Sequence, residues 1–174
     1  MIKGGVGGAK TQTGLEFEKR INLREVFSKV KDYSISGSDL LYRGKSVAKL
    51  FKKNEIYNRF LKDLKVNWSE KLSKKMLPDE TIFVLANKTL FIVEMKFQKV
   101  AGSVDEKLQT CDFKKKQYQK LFSGTDIKIE YCYILNDWFM HPSYKDTLNY
   151  VTSVDCKYFF STLPFEYLGL PQPE

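Results

Sequence analysis

The 174-residue sequence contains a single histidine, His141, and only three cysteines, Cys111, Cys132 and Cys156. One histidine excludes a multi-histidine metal site, and the sequence offers no Ser-His-Asp or Cys-His set for nucleophilic catalysis. The cysteines are far apart and odd in number, which argues against a disulfide framework or a zinc knuckle. We therefore expect small buried thiols in a reduced, cytoplasmic compartment.

Long apolar runs are also missing from the sequence. No stretch of about 18 apolar residues occurs, so we expect no membrane span. The first residues, MIKGGVGGAKTQTG, lack the apolar core of a signal peptide. They also lack the G-x-x-x-x-G-K-[ST] pattern of a phosphate loop, so we expect no nucleotide cofactor. We interpret residues 1–13 as a flexible arm.

The sequence carries an excess of positive charge. The 29 Lys and Arg residues against 21 Asp and Glu residues give a net charge of +8. Nine basic and three acidic residues fall between Lys49 and Lys75, so this segment alone carries +6. Such a cluster attracts polyanions, although an ordinary solvated helix face explains the charge equally well. With 43% hydrophobic residues, the chain can form the core of one domain over residues 1–174.

The hydrophobic pattern predicts an α/β architecture. Helical spacing of apolar residues predicts helices over residues 15–31, 54–64, 103–122 and 143–150. Apolar runs and alternation predict two short strands that turn at Arg43-Gly44, and further strands over residues 81–86, 89–93, 127–135 and 157–160. Asn87-Lys88 suits a tight hairpin turn, and a Pro-rich tail closes the chain. Together these elements predict a central mixed β-sheet flanked by helices.

The most informative stretch is LPDETIFVLANKTLFIVEMKFQ, residues 77–98. Pro78-Asp79 precedes its first strand, and its second strand becomes charged only at its end, at Glu94 and Lys96. A hairpin at a sheet edge would place Asp79 and Glu94 side by side, as carboxylate ligands that suit Mg²⁺. Lys96 projects to the same face as Glu94, where an ammonium assists an attacking water or balances charge at a phosphoryl transition state. Alternatively, Asp79 belongs to a Pro-Asp turn and the other two are polar positions of an edge strand.

This pattern, Pro78-Asp79 followed by Glu94-Met95-Lys96, resembles the motif of the PD-(D/E)XK nucleases, and within them the type II restriction endonucleases. A further likeness lies in TGLEFEKR, residues 13–20, and the resemblance covers about residues 8–136. It implies a restriction-endonuclease-like core, Mg²⁺ as cofactor, and catalytic roles for Asp79, Glu94 and Lys96. It also implies that Glu18 supplies a third carboxylate to the metal.

Two positions near the motif keep more than one interpretation. Glu16 competes with Glu18, because an ideal helical wheel places Glu16 within the apolar stripe and Glu18 at its margin. Either residue also fits an ordinary acid at a helix N-terminus. Gln98 extends the motif, and in similar nucleases a residue here contacts the site through water or a neighbouring phosphate; otherwise Gln98 is a surface residue of the strand.

The resemblance implies Mg²⁺-dependent, sequence-specific hydrolysis of phosphodiester bonds in double-stranded DNA. Palindromic sites would require a homodimer, because two strands need two equivalent active sites. A structure-selective nuclease such as a Holliday-junction resolvase, or a non-catalytic DNA-binding module of the same fold, are the alternatives. We interpret residues 40–76 as a DNA-recognition insertion. The candidate DNA-contacting residues are Tyr42, Arg43, Lys45, Lys52, Lys53, Arg59, Lys107 and Lys114.

Overall fold

The structure, a computed structural model, describes residues 14–17, 22–100 and 102–174, without the side chain of Asp105. Its strands are β1 (Gly14–Glu16), β2 (Tyr33–Ser36), β3 (Asp39–Tyr42), β4 (Lys45–Phe51), β5 (Glu80–Val84), β6 (Thr89–Lys96), β7 (Lys128–Leu135), β8 (Lys157–Phe160) and β9 (Thr162–Pro164). Its α-helices are α1 (Leu23–Phe27), α2 (Val104–Leu108), α3 (Cys111–Leu121), α4 (Lys145–Ser153) and α5 (Phe165–Leu168). A π-helical segment spans Ile56–Leu61, and 3-10 turns span Trp68–Glu70, Asp137–Met140 and Pro142–Tyr144.

Seven of these strands form one mixed sheet in the order β2-β3-β4-β5-β6-β7-β8. Neighbours from β2 to β6 are antiparallel, whereas β6, β7 and β8 run parallel. Parallel neighbours need crossover connections: α2 and α3 lie between β6 and β7 in the chain, and α4 lies between β7 and β8. The expected α/β architecture, a mixed sheet flanked by helices, is therefore confirmed.

Two hydrophobic clusters cover the two faces of the sheet. One contains residues of β1, α1 and α5, and the other contains residues of the π-helical segment, α3 and α4. Strand β6 contributes to both clusters by alternation, with Val93 and Met95 in the first and Leu90 and Ile92 in the second. Side chains two residues apart on a strand share a face. Glu94, two residues after Ile92, therefore faces the layer that contains α3.

The predicted helix over residues 15–31 is wrong. Residues 14–16 form β1, which pairs with β9 at the far end of the chain, and among the described residues of this range, 15–17 and 22–31, the α-helix spans Leu23–Phe27. Leu15 and Phe17 are buried and Glu16 is exposed, which is the two-residue period of a strand. Asn22 starts α1, because its side-chain oxygen accepts a hydrogen bond from the backbone N–H of Glu25 at 2.8 Å.

Other predicted elements occur with shifted boundaries. The helix predicted over residues 103–122 is divided into α2 and α3, and the tail contains β9 and α5. The turn at Arg43-Gly44 is confirmed, and positive φ angles of 47° and 79° give it the twist of a two-residue hairpin loop. The β5–β6 hairpin is confirmed too, but Val84 pairs with Thr89, so its loop has four residues, 85–88.

The segment 40–76, interpreted from sequence as an insertion, divides into two parts. Its first part lies in β3 and β4, which are strands of the central sheet. Its second part leaves the sheet after Phe51 and includes the π-helical segment before the chain returns to β5. Within the ranges described, no helix is long and apolar enough to cross a membrane.

Candidate active site

Strands β5 and β6 bring Asp79 and Glu94 together at the open end of their hairpin. Glu80 pairs with Val93 in the antiparallel register, so Asp79 takes the next position, opposite Glu94. The Oδ2 atom of Asp79 accepts a hydrogen bond from the backbone N–H of Met95 at 3.2 Å. This bond continues the ladder one step beyond β5 and fixes the Asp79 carboxylate beside β6.

Lys96 places its ammonium between these two carboxylates. Its Nζ atom lies 2.9 Å from Oε2 of Glu94 and 3.7 Å from Oδ2 of Asp79. The side chain of Lys96 is 12% exposed and that of Glu94 is 7% exposed. Because charges interact more strongly away from bulk water, this ion pair is held more firmly than an ordinary surface pair. The structure thus brings together all three residues of the predicted motif.

A fourth charged group reaches the site from α3. The Nζ atom of Lys114 lies 3.3 Å from the same Oε2 atom of Glu94 that Lys96 contacts. The sequence interpretation placed Lys114 among surface contacts to DNA, whereas its side chain is only 27% exposed. The sequence signal for this position is its spacing from Tyr118: residues four apart share a helix face, and a large aromatic residue at helical spacing indicates the face that packs on the core.

Two tyrosines hold the chain segment that leads into Asp79. The hydroxyl of Tyr57 donates to the carbonyl of Met76 and accepts from the N–H of Met76, both at 2.8 Å. The hydroxyl of Tyr118 donates to the same carbonyl at 3.4 Å. Burial raises the pKa of Tyr118 and that of Tyr57, and the negative charges of Glu94 and Asp79 raise the pKa of Tyr118 further. Both hydroxyls therefore stay protonated and fix the approach to the site.

Gln98 lies just beyond β6 and is buried rather than exposed at the surface. Its backbone N–H donates to Oδ1 of Asn136 at 3.1 Å, and Nδ2 of Asn136 donates to the Gln98 carbonyl at 2.7 Å. Asn136 follows β7, so its side chain continues the pairing of β6 and β7 past their ends. The Oε1 atom of Gln98 is buried and has no hydrogen-bond partner among the described residues.

The expected third carboxylate does not appear among the residues that the structure describes. Glu16 is an exposed residue of β1, opposite Thr162, so the helical-wheel argument for it does not apply. Glu18 lies outside the described residues. Over residues 14–17, 22–100 and 102–174, no group of three or more His, Cys, Asp or Glu side chains could hold a metal ion.

The two remaining carboxylates nevertheless fit a magnesium ion. Mg²⁺ is commonly bound through one or two carboxylates, with water and substrate phosphate completing its ligands. The hydrogen bonds and ion pairs of Asp79 and Glu94 use Oδ2 and Oε2 respectively. Oδ1 and Oε1 therefore remain to accept a hard cation, and the donor chemistry agrees with Mg²⁺.

Glu80 is a buried acid that the sequence interpretation missed. Glu80 is the first residue of β5 and directly follows Asp79 in extended chain, so it faces the opposite side of the sheet, near Arg24 and the backbone of Leu23. Burial raises the pKa of Glu80 to about 7, although the positive charges of Lys52 and Arg24 oppose the shift. Its position excludes Glu80 from the group around Glu94.

The candidate DNA-contacting residues have different environments. The Tyr42 hydroxyl donates to the Gln172 carbonyl at 3.0 Å. Arg43 forms ion pairs with Asp32 at 3.5 Å and with Glu174 at 2.6 Å. Tyr42 and Arg43 therefore both hold C-terminal residues in place. Arg59 is exposed, and its Nη1 atom lies 3.9 Å from Oε1 of Glu55, four residues earlier in the chain. The remaining candidates outside the site are exposed lysines: Lys45, Lys52, Lys53 and Lys107.

Comparisons of the chain with protein-family models, with curated proteins and with solved structures give no match.

Proposed function

We propose that this chain is a Mg²⁺-dependent endodeoxyribonuclease with a restriction-endonuclease-like core, and that it hydrolyses phosphodiester bonds in double-stranded DNA. The observation that carries the proposal is the position of the Lys96 ammonium, 2.9 Å from Glu94 and 3.7 Å from Asp79 on one face of the hairpin. Two carboxylates and one ammonium at this spacing can hold a hard cation and stabilise a charged phosphoryl transition state.

Each residue has a distinct task in this mechanism. Asp79 and Glu94 would hold the ion, which when bound would polarise a phosphoryl oxygen and lower the pKa of a water molecule. Lys96 orients the attacking water with its ammonium and opposes the negative charge that develops on the phosphate. Water gives up a proton to solvent and attacks phosphorus, the P–O bond to the leaving oxygen breaks, and that oxygen takes up a proton from solvent. The products are a phosphate monoester end and a free hydroxyl end.

The basic segment between Lys49 and Lys75 supports DNA as the substrate class. Lys52 and Lys53 are exposed, and the backbone N–H of Lys53 donates to the Pro78 carbonyl at 3.0 Å. Both lysines therefore stand beside the segment that carries Asp79. A polyanion that reaches the site would meet their positive charge, and ammonium–phosphate contacts supply sequence-independent affinity.

We further propose that the enzyme acts in the manner of a type II restriction endonuclease, as a cytoplasmic homodimer on palindromic sites. This form of the proposal is tested by offering wild-type protein and Mg²⁺ three substrates: a long linear duplex, a four-way junction and single-stranded DNA. Discrete fragments of the linear duplex support sequence-specific cleavage. Preference for the junction at any sequence would instead indicate a structure-selective nuclease, and tight duplex binding without cleavage would leave a DNA-binding module.

A further inference from the structure

Three consecutive lysines on α3 have three different environments. The side chain of Lys115 is 6% exposed, and its Nζ atom lies 2.7 Å from the Asp155 carboxylate and 3.8 Å from that of Glu130. Lys116 is exposed and pairs at 2.8 Å with Asp112, one turn earlier on the same helix. Both lysines thus form ion pairs with carboxylates outside the candidate active site.

Lys114 differs from its two neighbours, because its described ionic partner is Glu94 of the candidate active site, at 3.3 Å. Two other contacts of α3 hold the helix in place and thereby fix the position of Lys114 relative to Glu94. Lys115 fastens the next residue of the helix to Asp155, and Tyr118, one turn later, donates to the Met76 carbonyl at 3.4 Å. The helix face that carries Lys114 is therefore held toward the two carboxylates.

Among the described residues, the charges around Glu94 balance without a metal ion. Asp79 and Glu94 contribute two negative charges, and Lys96 and Lys114 contribute two positive charges. Adding a divalent cation would leave the site with an excess of two positive charges. A phosphodiester attacked by hydroxide reaches a pentacoordinate state with two negative charges, so the site with its cation would match the charge of that transition state.

Both ammonium groups contact the same oxygen of Glu94, but only Lys96 also lies within ion-pair distance of Asp79. A cation held by Asp79 and Glu94 draws negative charge from both carboxylates. Lys96 still lies beside two of them, whereas Lys114 has only the weakened Glu94 as its described ionic partner. A partly buried ammonium that loses its counterion needs another anion nearby. The anion that the proposed function brings to this place is the phosphate of DNA.

We propose that Lys114 is a second active-site lysine, which exchanges Glu94 for a non-bridging oxygen of the reacting DNA phosphate when Glu94 binds the divalent cation. Lys114 keeps its proton throughout, so the hydrolysis gains electrostatic stabilisation and no additional covalent step. The inference rests on the proposed function, which supplies both the cation and the phosphate.

The test compares Lys114→Gln with Lys116→Gln, which removes the same charge from the same helix at a residue paired with Asp112. The first measurement is Tb³⁺ binding without DNA, followed by tyrosine-sensitised luminescence. Lys114→Gln removes a cation that competes for Glu94, so we expect its affinity for Tb³⁺ to rise about fivefold. Lys116→Gln should bind Tb³⁺ as the wild type does.

The second measurement is single-turnover cleavage of duplex DNA with Mg²⁺, alongside the dissociation constant for DNA without added divalent cation. We expect Lys114→Gln to cleave about 100-fold more slowly, as other enzymes do when they lose one transition-state donor. Its dissociation constant should stay within about threefold of the wild-type value, because without a divalent cation Lys114 stays paired with Glu94 and contributes little to phosphate binding. Lys116→Gln should match the wild type in both measurements.

The outcomes separate this inference from the proposed function. If wild-type protein cleaves DNA and Lys114→Gln behaves as Lys116→Gln does in both measurements, the role of Lys114 is overturned and the nuclease proposal stands. If wild-type protein binds Tb³⁺ but cleaves no DNA with Mg²⁺ or Mn²⁺, the proposed function fails and the phosphate contact fails with it. Should Lys114→Gln unfold, as judged by circular dichroism, Lys114→Met keeps the apolar stem and replaces it in the same comparison.

Discussion

Among single residues, Lys96 balances more charge than any other described residue of the site, because its ammonium lies between two carboxylates. Lys96→Met keeps the apolar stem of the side chain and removes its ammonium. Asp79 then loses its described ionic partner, and Glu94 keeps only Lys114. Without divalent cations, we expect the free energy of unfolding to fall by about 2 kcal/mol, since the mostly buried Glu94 carboxylate loses one of its two hydrogen-bonded ammonium groups. Millimolar Mg²⁺ should restore part of this loss, because the ion replaces the missing positive charge. Denaturant unfolding in EDTA and in Mg²⁺ measures both effects.

The control for Lys96→Met is Lys88→Met, which breaks the exposed ion pair between Lys88 and Asp126. Exposed pairs contribute about 0–1 kcal/mol, so this variant should unfold nearly as the wild type does, with or without Mg²⁺. Equal stability of Lys96→Met and Lys88→Met in EDTA would show that the Lys96 ammonium does not compensate the two acids.

A second residue-scale prediction concerns the buried Lys115 and its partner Asp155, whose own side chain is 79% exposed. Hydrogen bonding and the charge of Lys115 lower the pKa of Asp155 below its usual value of 3.8. A carboxyl whose pKa is lower in the folded state stabilises the fold above its unfolded pKa, and the contribution is lost as pH falls through the folded pKa. Asp155→Asn should therefore be less stable than the wild type at pH 7, with a difference that shrinks below about pH 4.

Thermal unfolding of both proteins from neutral to strongly acidic pH measures this difference. A destabilisation by Asp155→Asn that is the same at all pH values would contradict the ionic account. It would instead indicate that the backbone carbonyl of Asp155, which also accepts from Lys115, holds the lysine without help from the carboxylate.

At the scale of elements, the hairpin that carries Asp79 and Glu94 was predictable because its signals are local. Two apolar strands adjoin one short loop, and the charged residues stand at their ends, so alternation along 20 or so residues determines which side chains meet. The Lys114 contact was not predictable in this way. It depends on how α3 packs on the sheet, and helical periodicity gives the buried face of a helix without its neighbour on the sheet.

The wrong helix over residues 15–31 has a related cause. Leu15 and Phe17 fit either a helical stripe or a strand, and their strand partner, β9, lies near the other end of the chain. Local periodicity contains no information on such a distant partner. Short strands in general take their conformation from tertiary pairing more than from intrinsic preference, so β1 and β9 were both missed.

The π-helical segment makes a prediction at this scale, since Tyr57 links it to Met76 by two hydrogen bonds of 2.8 Å. Tyr57→Phe removes both bonds and leaves a partly buried backbone N–H and carbonyl with weaker partners. We expect the free energy of unfolding to fall by about 1–2 kcal/mol, and DNA cleavage to slow because the segment leading to Asp79 is less firmly held.

Denaturant unfolding and cleavage assays of Tyr57→Phe measure these two effects. Tyr150→Phe is the matched control, because Tyr150 is a partly exposed residue of α4 and such changes usually stay within about 0.5 kcal/mol. If Tyr57→Phe is as stable and as active as Tyr150→Phe, the hydroxyl of Tyr57 does not position Asp79.

For the molecule as a whole, net charge bears on DNA affinity and not on the fold. Lys52 and Lys53 are exposed beside the segment that carries Asp79. If they contact two phosphates, replacing both with Gln should weaken DNA binding for every sequence alike. The slope of log affinity against log salt concentration should then become less steep by about 2. Fluorescence anisotropy with labelled duplexes at several salt concentrations measures this slope.

The control for the Lys52 and Lys53 substitutions replaces Lys29 and Lys88 with Gln. These two lysines form exposed ion pairs with Glu25 and Asp126 respectively. It removes the same charge from the molecule, so it accounts for the effect of net charge alone. Equal slopes for the two double variants would exclude specific phosphate contacts at Lys52 and Lys53.

The central claim is that Asp79, Glu94 and Lys96 form a metal-dependent phosphodiesterase site, and digestion of long unmethylated DNA with Mg²⁺ tests it most directly. Wild-type protein is compared with Asp79→Asn and Lys96→Met, each first shown by circular dichroism to be folded. The account predicts discrete fragments from the wild type and cleavage at least about 100-fold slower from both variants. Absence of cleavage by the wild type, or equal cleavage by all three proteins, would contradict it.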